Sequence, residues 1–185
     1  RRQNLSEESL KANVERLTMI GSGNINGSGN TLGNVILGND GINVVNGREG
    51  NDTILAGLGL DTQYGGTGSD TFVFNSAAES GPSSLERDRI ADFNLGDLIY
   101  LAAIDADEIT DGNQAFALDT DGSFSAGEIK QTQFGANLLL EMNTDADAAA
   151  EMSILLLNSG PLDAGDFVLS GAGSSCGLEA SWRQS

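Results

Sequence analysis

The chain has 185 residues, of which 27 are Asp or Glu, 9 are Lys or Arg and none is His, so the formal net charge is −18. Nucleic acids and anionic membranes need a basic partner surface, so this charge excludes both. Without His there can be no HExxH zinc site, His-containing triad or imidazole base, and no other catalytic constellation is present. We therefore expect a non-catalytic chain that favours cations.

Hydrophobic residues make up 39% of the chain, enough for one domain or two small packed units. The longest strictly apolar run, Ile154 to Leu157, is far too short to span a bilayer, so we expect no membrane insertion. Cys176 is the single cysteine, so an internal disulfide cannot stabilise the fold. Because the chain opens on Arg1 without a signal peptide, we expect a piece of a longer protein.

The N-terminal segment, residues 1–28, precedes a regular repeat. Its part 10–28 predicts an irregular leading coil, with Met19 and Ile25 as the inward-pointing residues.

Five consecutive nine-residue blocks run from Gly29 to Val73. They are GNTLGNVIL, GNDGINVVN, GREGNDTIL, AGLGLDTQY and GGTGSDTFV. The sixth residue of each block is Asp or Asn, at Asn34, Asn43, Asp52, Asp61 and Asp70. The eighth is usually large and apolar, at Ile36, Val45, Ile54, Gln63 and Phe72. An unbroken register of this length predicts a repeat architecture.

Each block combines a glycine-rich turn with three β-prone residues, of which the middle one points inward. Two blocks then complete one flattened coil, and blocks eighteen residues apart stack. Ile36, Ile54 and Phe72 are expected to line one inner face, with Val45 and Gln63 on the other. Gln63 is a flaw, because a buried polar group needs a partner.

The same stacking places Asp52 over Asp70 at about the 4.8 Å spacing of neighbouring strands. Two carboxylates that close repel each other, whereas a divalent ion between them would attract both. Calcium prefers carboxylate and carbonyl oxygens, so the repeat predicts a calcium-dependent roll that holds several ions. The alternative is a glycine-rich linker or a metal-free stack of turns.

The blocks GREGNDTIL and GGTGSDTFV resemble the RTX nonapeptide repeat. The resemblance implies that one turn offers its second and fourth carbonyls and its sixth side chain. The turn one coil later adds its first and third carbonyls and its sixth side chain. The implied sites are Asn30, Leu32 and Asn34 with Gly47, Glu49 and Asp52; Asn39, Gly41 and Asn43 with Ala56, Leu58 and Asp61; Arg48, Gly50 and Asp52 with Gly65, Thr67 and Asp70; Gly57, Gly59 and Asp61 with Glu79; and Gly66, Gly68 and Asp70 with Asp88.

The first of these sites departs from the repeat pattern. Leu32 replaces a turn glycine, and Asn34 and Asn43 supply neutral oxygens where Asp is usual. We expect the first site to be the weakest and the third, between Asp52 and Asp70, to be the strongest.

After Phe74 the nine-residue rhythm stops, so we expect a roll over 29–74 and a second region over 75–169. That region contains strand-like runs at 89–93, 98–104, 115–118, 128–134, 137–142, 152–157 and 166–169. They predict an antiparallel, β-sandwich-like cap on the end of the roll. The fold class is therefore all-β, a parallel β-roll with this cap. RDRIADFNLGDLIYL and the closing DFVL resemble the serralysin-type C-terminal domain that follows such repeats.

Two acidic loops lie within the cap. DTDGSFSAGE resembles an EF-hand loop through Asp119, Asp121, Gly122 and Glu128, although Ala117 stands where the first carboxylate should be. The second loop, NTDADAAAE, carries Asn143, Asp145, Asp147 and Glu151. For each loop, a solvated turn is the alternative to a metal site.

Residues 170–185 have no place in the family pattern, and we expect disorder there with no function for Cys176 or Trp182. The RTX resemblance implies a secreted, calcium-folded module that leaves the cell through a type I secretion apparatus, with DFVL either a signal element or a plain last strand. The alternative is a calcium-dependent module that binds an extracellular polysaccharide or surface, as in epimerases and adhesins of this kind.

Overall fold

The structure, a computed structural model, describes residues 7–170, and its regular secondary structure is almost wholly β-strand. The strands are β1 Glu7–Ser9, β2 Arg16–Thr18, β3 Asn26–Ser28, β4 Val35–Leu37, β5 Val44–Glu49, β6 Thr53–Leu55, β7 Thr62–Thr67, β8 Thr71–Val73, β9 Asp88–Ile90, β10 Leu98–Tyr100, β11 Ala117–Leu118, β12 Glu128–Phe134, β13 Asn137–Asn143, β14 Met152–Leu156 and β15 Phe167–Val168. Two short 3₁₀ helices span Ala77–Glu79 and Ala164–Asp166. The predictions for Cys176 and Trp182 lie outside the described residues.

Within that range the strands form two sheets. The nine-stranded sheet has the order β1-β3-β5-β7-β9-β14-β13-β12-β11, and the six-stranded sheet has the order β15-β10-β8-β6-β4-β2. Successive strands of the roll alternate between the two sheets, and neighbours within a sheet pair in parallel. This alternation is the two-block coil that the nine-residue period predicts, so the all-β fold with a parallel roll is confirmed.

The eighth residues of the blocks form the core between the sheets. In the six-stranded sheet Ile36 pairs with Ile54, which pairs with Phe72, and all three are fully buried. In the other sheet Val45 pairs with Gln63, as expected. The burial alternates because only every second residue of a short strand faces inward.

The leading coil adds one layer to each sheet at the N-terminal end of this core. Met19 is buried, as predicted, and Ile25 packs against the core while remaining partly exposed. Leu17, which pairs with Ile36, supplies the inward residue of β2. The corresponding inward residue of β3, in the nine-stranded sheet, is Gly27, and its lack of a side chain leaves room for Met19.

Parallel pairing continues beyond Phe74, where the glycine-rich blocks end. Ile90 of β9 pairs with Gln63, and Ile99 of β10 pairs with Phe72. In each of these two pairs, the paired residues are 27 positions apart in the sequence, whereas paired residues within the repeat are eighteen apart. The connection over residues 74–82 adds one nine-residue block, so the inward positions keep their phase through Ile99.

The C-terminal region is therefore mixed and not wholly antiparallel. Strands β12, β13 and β14 form the expected antiparallel meander, but β14 joins β9 in parallel and β15 joins β10 in parallel. Because each sheet of the roll offers an open edge at β9 and β10, the cap continues both sheets instead of lying across them. Among residues 7–170, no helix has the length and apolar character needed to cross a membrane.

Replacing Ile54, which is fully buried at the centre of its column, should remove core packing that both neighbours share. We expect Ile54→Ala to lower the free energy of unfolding by about 2–5 kcal/mol in denaturant titrations at saturating calcium. Leu95→Ala is the control, because Leu95 is 99% exposed, and its effect should stay within about 0.5 kcal/mol. Equal effects of the two variants would contradict this assignment of the core.

Candidate metal centres

The turns between strands stack along the two edges of the roll. The first edge carries the turns 29–34, 47–52, 65–70 and 92–97, and the second edge carries 38–43, 56–61 and the longer connection that ends at Asp88. Two neighbouring turns on one edge are called a turn pair below. Each turn ends in a side chain with an amide or carboxylate oxygen, directly before a strand of the next sheet.

On the first edge, these terminal side chains join one coil to the next through a series of hydrogen bonds. This series of stacked side chains on one edge is called a ladder below. The backbone N–H of Asn34 donates to Oδ1 of Asp52 at 2.7 Å, and the N–H of Asp52 donates to Oδ1 of Asp70 at 2.8 Å. The N–H of Asp70 donates to Oδ1 of Asp97 at 2.9 Å. The stacking of Asp52 over Asp70 is thus as predicted.

The second edge repeats the arrangement. The N–H of Asn43 donates to Oδ1 of Asp61 at 2.7 Å, and the N–H of Asp61 donates to Oδ1 of Asp88 at 2.8 Å. Oδ2 of Asp88 accepts from Nε2 of Gln63 at 3.0 Å. Asp88 therefore supplies a partner for the amide nitrogen of the inward Gln63, whose Oε1 is buried without a hydrogen-bond partner among the described residues.

The second carboxylate oxygens of the ladders are buried and unsatisfied. Oδ2 of Asp52, Asp61 and Asp70 accepts no hydrogen bond from any described residue. Within residues 7–170, no Lys or Arg forms an ion pair with these carboxylates, the ion pair present being Lys130–Glu141 on the surface. Burying an ionised carboxylate without a counterion is strongly unfavourable.

The proton affinities of these groups reflect that cost. Burial raises the pKa of Asp52 to about 6 and that of Asp61 to about 7, with repulsion from Asp70 and Glu79 adding to the respective shifts. Burial, together with the charge of Asp61, raises the pKa of Asp88 to about 8. In each case the backbone N–H donor lowers the pKa, but burial outweighs it.

Backbone carbonyls converge on the same places. At Gly47, an added Cβ would lie 2.6 Å from the carbonyl oxygen of Gly65 and closer still to Oδ2 of Asp52. Only a residue without a side chain fits, since the two oxygens face each other across its Cα. The oxygens of Asp52 and Gly65 belong to the ligand set that the sequence predicts for the third site.

The other carbonyls of this turn pair also point from one turn to the next. The carbonyl oxygen of Arg48 lies against the Cα of Gly66, and that of Gly50 lies against Gly68. Gly66 and Gly68 have φ of +100° and +138°, a region that L side chains rarely adopt. Thr67 lies in the same turn, and its carbonyl accepts from the N–H of Gly50 at 2.9 Å.

The turn pair 38–43/56–61 has the same construction. The carbonyl of Asn39 lies against Gly57, and an added Cβ on Gly59 would lie 2.6 Å from the carbonyl oxygen of Gly41. The carbonyl of Ala56 lies against Gly38, whereas the Leu58 side chain is exposed. The predicted carbonyls of Asn39, Gly41 and Ala56 thus lie between the two turns of this pair.

The predicted first site is assembled with fewer charges. An added Cβ on Gly50 would lie 2.6 Å from the carbonyl oxygen of Leu32, and the carbonyl of Asn30 accepts from the N–H of Glu49 at 3.3 Å. The carbonyl of Gly47 and Oδ1 of Asn34 both face Gly29. Asp52 is the single carboxylate of that ladder step, since Asn34 is neutral.

Two predicted partners are wrong. Asp88 lies opposite Asp61 and not opposite Asp70, whose partner in the ladder is Asp97. Glu79 does not take the ladder position after Asp61, although its charge raises the pKa of both Asp61 and Asp88. The reason is the additional block 74–82, which moves each acid one block further along the chain.

Asp92 and Asp97 were missed by the sequence reasoning. Asp92 accepts from the N–H groups of Gly65 and Gly66 at 2.9 and 3.0 Å, and its charge and that of Asp97 raise the pKa of Asp70, after burial as the main cause. For Asp97 the sequence signal is its nine-residue spacing from Asp88, with Ile90 and Ile99 two residues after the respective acids, whereas Asp92 lies outside this spacing. The turn 92–97 resembles the repeat only weakly, because Gly96 is its single glycine.

The two acidic loops of the cap each gather three carboxylates. The carboxylate oxygens lie within 4.8 Å of one another in the sets Asp119, Asp121, Glu128 and Asp145, Asp147, Glu151. All six of these carboxylates accept N–H groups of their own loop, which a solvated turn does equally well. Gly122 has a positive φ of 81°, and Asn143 is buried and donates to the carbonyl of Asp147. Both alternatives for these loops stay open.

No curated protein sequence matches this chain. The fold resembles the solution structure of the AlgE6R3 subunit of the Azotobacter vinelandii mannuronan C5-epimerase, at a TM-score of 0.63 and 25% identity, covering 90% of each chain. The AlgE6R2 subunit of that epimerase has a TM-score of 0.55 and 21% identity, covering 82% of this chain and 95% of the subunit. The family model described as peptidase M10 serralysin C terminal matches residues 11–169, and the chain belongs to that family.

Proposed function

We propose that this chain is a calcium-binding, non-catalytic module whose roll is stabilised by several ions held between stacked turns. One observation carries the proposal: the buried Oδ2 atoms of Asp52, Asp61 and Asp70 accept no hydrogen bond from the described residues, and that of Asp52 faces the carbonyl oxygen of Gly65 across Gly47. The turn pairs that would hold ions are 29–34/47–52, 47–52/65–70 and 65–70/92–97 on the first edge, with 38–43/56–61 and the pair of 56–61 with Asp88 on the second.

Calcium fits these turn pairs better than other biological metals do. The candidate ligands are carboxylate, amide and carbonyl oxygens, and the chain has no His. Calcium accepts six to eight oxygens in flexible geometry, whereas magnesium demands a near-ideal octahedron and retains its water. Bound calcium would supply the positive charge that lets the ladder carboxylates stay ionised when buried.

Calcium dependence suits a protein that folds outside the cell. Sites of extracellular modules have dissociation constants of about 10⁻⁴–10⁻³ M, so they fill at millimolar calcium and not at cytosolic levels. With a net charge of −18, the ion-free chain repels itself and resists compaction. We therefore propose a secreted module that leaves through a type I apparatus while loosely folded and becomes stable outside.

Calcium should stabilise the folded domain in proportion to the ions bound. For each site, a calcium concentration of one hundred times the dissociation constant contributes about 2.7 kcal/mol. We expect circular dichroism and thermal unfolding to show ordered strands and a higher Tm as calcium replaces excess chelator. A domain equally folded and equally stable in both conditions would remove the proposal.

Single variants test whether calcium binds at the ladder carboxylates. Asp70→Asn should weaken calcium binding by about tenfold or more, because calcium affinity follows the number of charged ligands. Asp40→Asn is the matched control: Asp40 is an exposed carboxylate in the turn 38–43, outside the ladder. Equal calcium affinities of the two variants, measured by isothermal titration calorimetry, would contradict the ligand assignment.

The ion-free domain should lose stability as the pH rises. The pKa values of Asp52, Asp61 and Asp88 rise on folding from 3.8 to about 6, 7 and 8, so the ion-free fold binds protons more tightly than the unfolded chain does. This contribution is complete below about pH 4 and disappears as the pH passes through these raised values. In excess chelator, the Tm should fall from pH 5 to pH 8.

Saturating calcium should flatten this dependence, because the ion and not the proton then neutralises the carboxylates. A chelated domain whose Tm rises between pH 5 and pH 8 would contradict the raised pKa values.

Polysaccharide binding is a second candidate function. The resemblance to a repeat subunit of a mannuronan C5-epimerase favours it. The outer face of the nine-stranded sheet offers Tyr64, which is 36% exposed, with Arg48 and Arg89 on neighbouring strands. An exposed aromatic ring with arginines on the strands to either side would suit contact with an acidic sugar polymer, and of the two arginines Arg48 also donates through Nε to Ser28 of β3.

Sedimentation with mannuronan in the presence of calcium tests this candidate. The double variant Tyr64→Ala/Arg89→Ala should reduce binding by about tenfold, since each side chain contributes roughly 1 kcal/mol or less at an exposed site. Arg16→Ala, on the outer face of the six-stranded sheet, is the control and should bind as the unmodified domain does. Absence of any binding would remove this candidate and leave the calcium proposal unaffected.

A further inference from the structure

The first repeat turn on each edge differs from all later ones at its second residue. These residues are Asn30 and Asn39, and they are only 9% and 8% exposed. At the same position, the later turns have Arg48, Gly57 and Gly66. The two asparagine side chains point back toward the leading coil, residues 10–28.

On the first edge, Asn30 bridges two carbonyls of the leading coil. Its Nδ2 donates to the carbonyl oxygens of Lys11 at 2.8 Å and Val14 at 2.7 Å. Its Oδ1 accepts from the N–H of Leu32 at 2.8 Å. The opposite amide orientation would place Oδ1 against two carbonyl oxygens, so the hydrogen bonds define which atom faces the leading coil.

On the second edge, Asn39 makes the corresponding contacts. Its Nδ2 donates to the carbonyl oxygen of Gly23 at 3.0 Å, and its Oδ1 accepts from the N–H of Gly41 at 2.9 Å. Gly23 is the fourth residue of its turn, counted from the pairing of Gly27 with Val45. In the later turn pairs, carbonyls at this position face the following turn without a side-chain donor.

The leading coil also lacks the acids of the ladder. Counting back from the pairing of Leu17 with Ile36, Glu15 takes the sixth position on the first edge, and it is exposed. On the second edge the sixth position is Ile25, which has no ligand atom. No buried pair of carboxylates therefore faces Asn30 or Asn39 among the described residues.

We infer that Asn30 and Asn39 close the turn pairs between the leading coil and the first repeat coil without an ion, so calcium binding begins one turn later on each edge. The inference rests on the proposed calcium function. An amide nitrogen donates to carbonyls that a cation would otherwise bind, and it cannot itself act as a ligand to calcium. The leading coil is then attached through hydrogen bonds that no change in calcium concentration removes.

Thermal unfolding of the intact domain tests the inference. Asn30→Ala removes the bridge to the leading coil and keeps the backbone carbonyl. The Tm at saturating calcium should fall by about 4–8 °C or more, because the Asn30 side chain loses its hydrogen bonds to Lys11, Val14, Leu32 and Asn34. The control is Asn51→Ala: Asn51 is exposed and contacts the next coil only through its Oδ1 in the bonds observed, so its Tm should change by about 1 °C or less.

Crystals of the calcium-loaded, unmodified domain supply a readout that does not depend on the variants. Anomalous density is expected between Asp52 and Asp70 and is not expected between the leading coil and the side chain of Asn30 or Asn39. An ion between the leading coil and either asparagine side chain, or an unchanged Tm in Asn30→Ala, would overturn the inference while leaving the proposed function intact. A domain that binds no calcium at all would overturn both.

Discussion

The structure depends on a ladder of carboxylates that joins neighbouring coils by hydrogen bonds. The same carboxylates also destabilise the stack, because they are buried and lie close to one another. Each ladder carboxylate accepts an N–H from the preceding coil through Oδ1, which favours its ionised form. Its Oδ2 is buried without a donor in Asp52, Asp61 and Asp70, which disfavours ionisation. The raised pKa values show that burial outweighs the hydrogen bonds. The coils are thus connected by carboxylates whose negative charge must be neutralised by a proton or a cation if the roll is to remain folded.

The ladder changes character along the roll. At the leading coil, asparagine amides donate to carbonyls and no acid is buried. Next come pairs of one amide and one carboxylate, at Asn34 with Asp52 and Asn43 with Asp61. Beyond Asp52 the ladder consists of acids alone, with Asp92 as an additional charge. Dependence on a cation should accordingly increase from the N-terminal end toward the cap.

The ladder and the core are inseparable because they lie two residues apart in every block. The residue at the sixth position ends a turn, and the residue at the eighth position faces the core, so one strand register sets both. Ile99 could not pair with Phe72 without also placing Asp97 beside Asp70. The connection 74–82 is tolerated because it adds one full block and leaves this phase intact.

The sequence alone determined the period of nine, the inward residues Ile36, Ile54 and Phe72, and the stacking of Asp52 over Asp70, because these follow from local turn and strand chemistry. It also located the strands of the meander, whose apolar runs are distinct. Only the tertiary structure decided that Asp88 faces Asp61 and Gln63 and that Asp97 faces Asp70. Those contacts depend on how many residues lie in the connection between the last glycine-rich block and β9. No local pattern in the sequence gives that number once the glycine-rich blocks have ended.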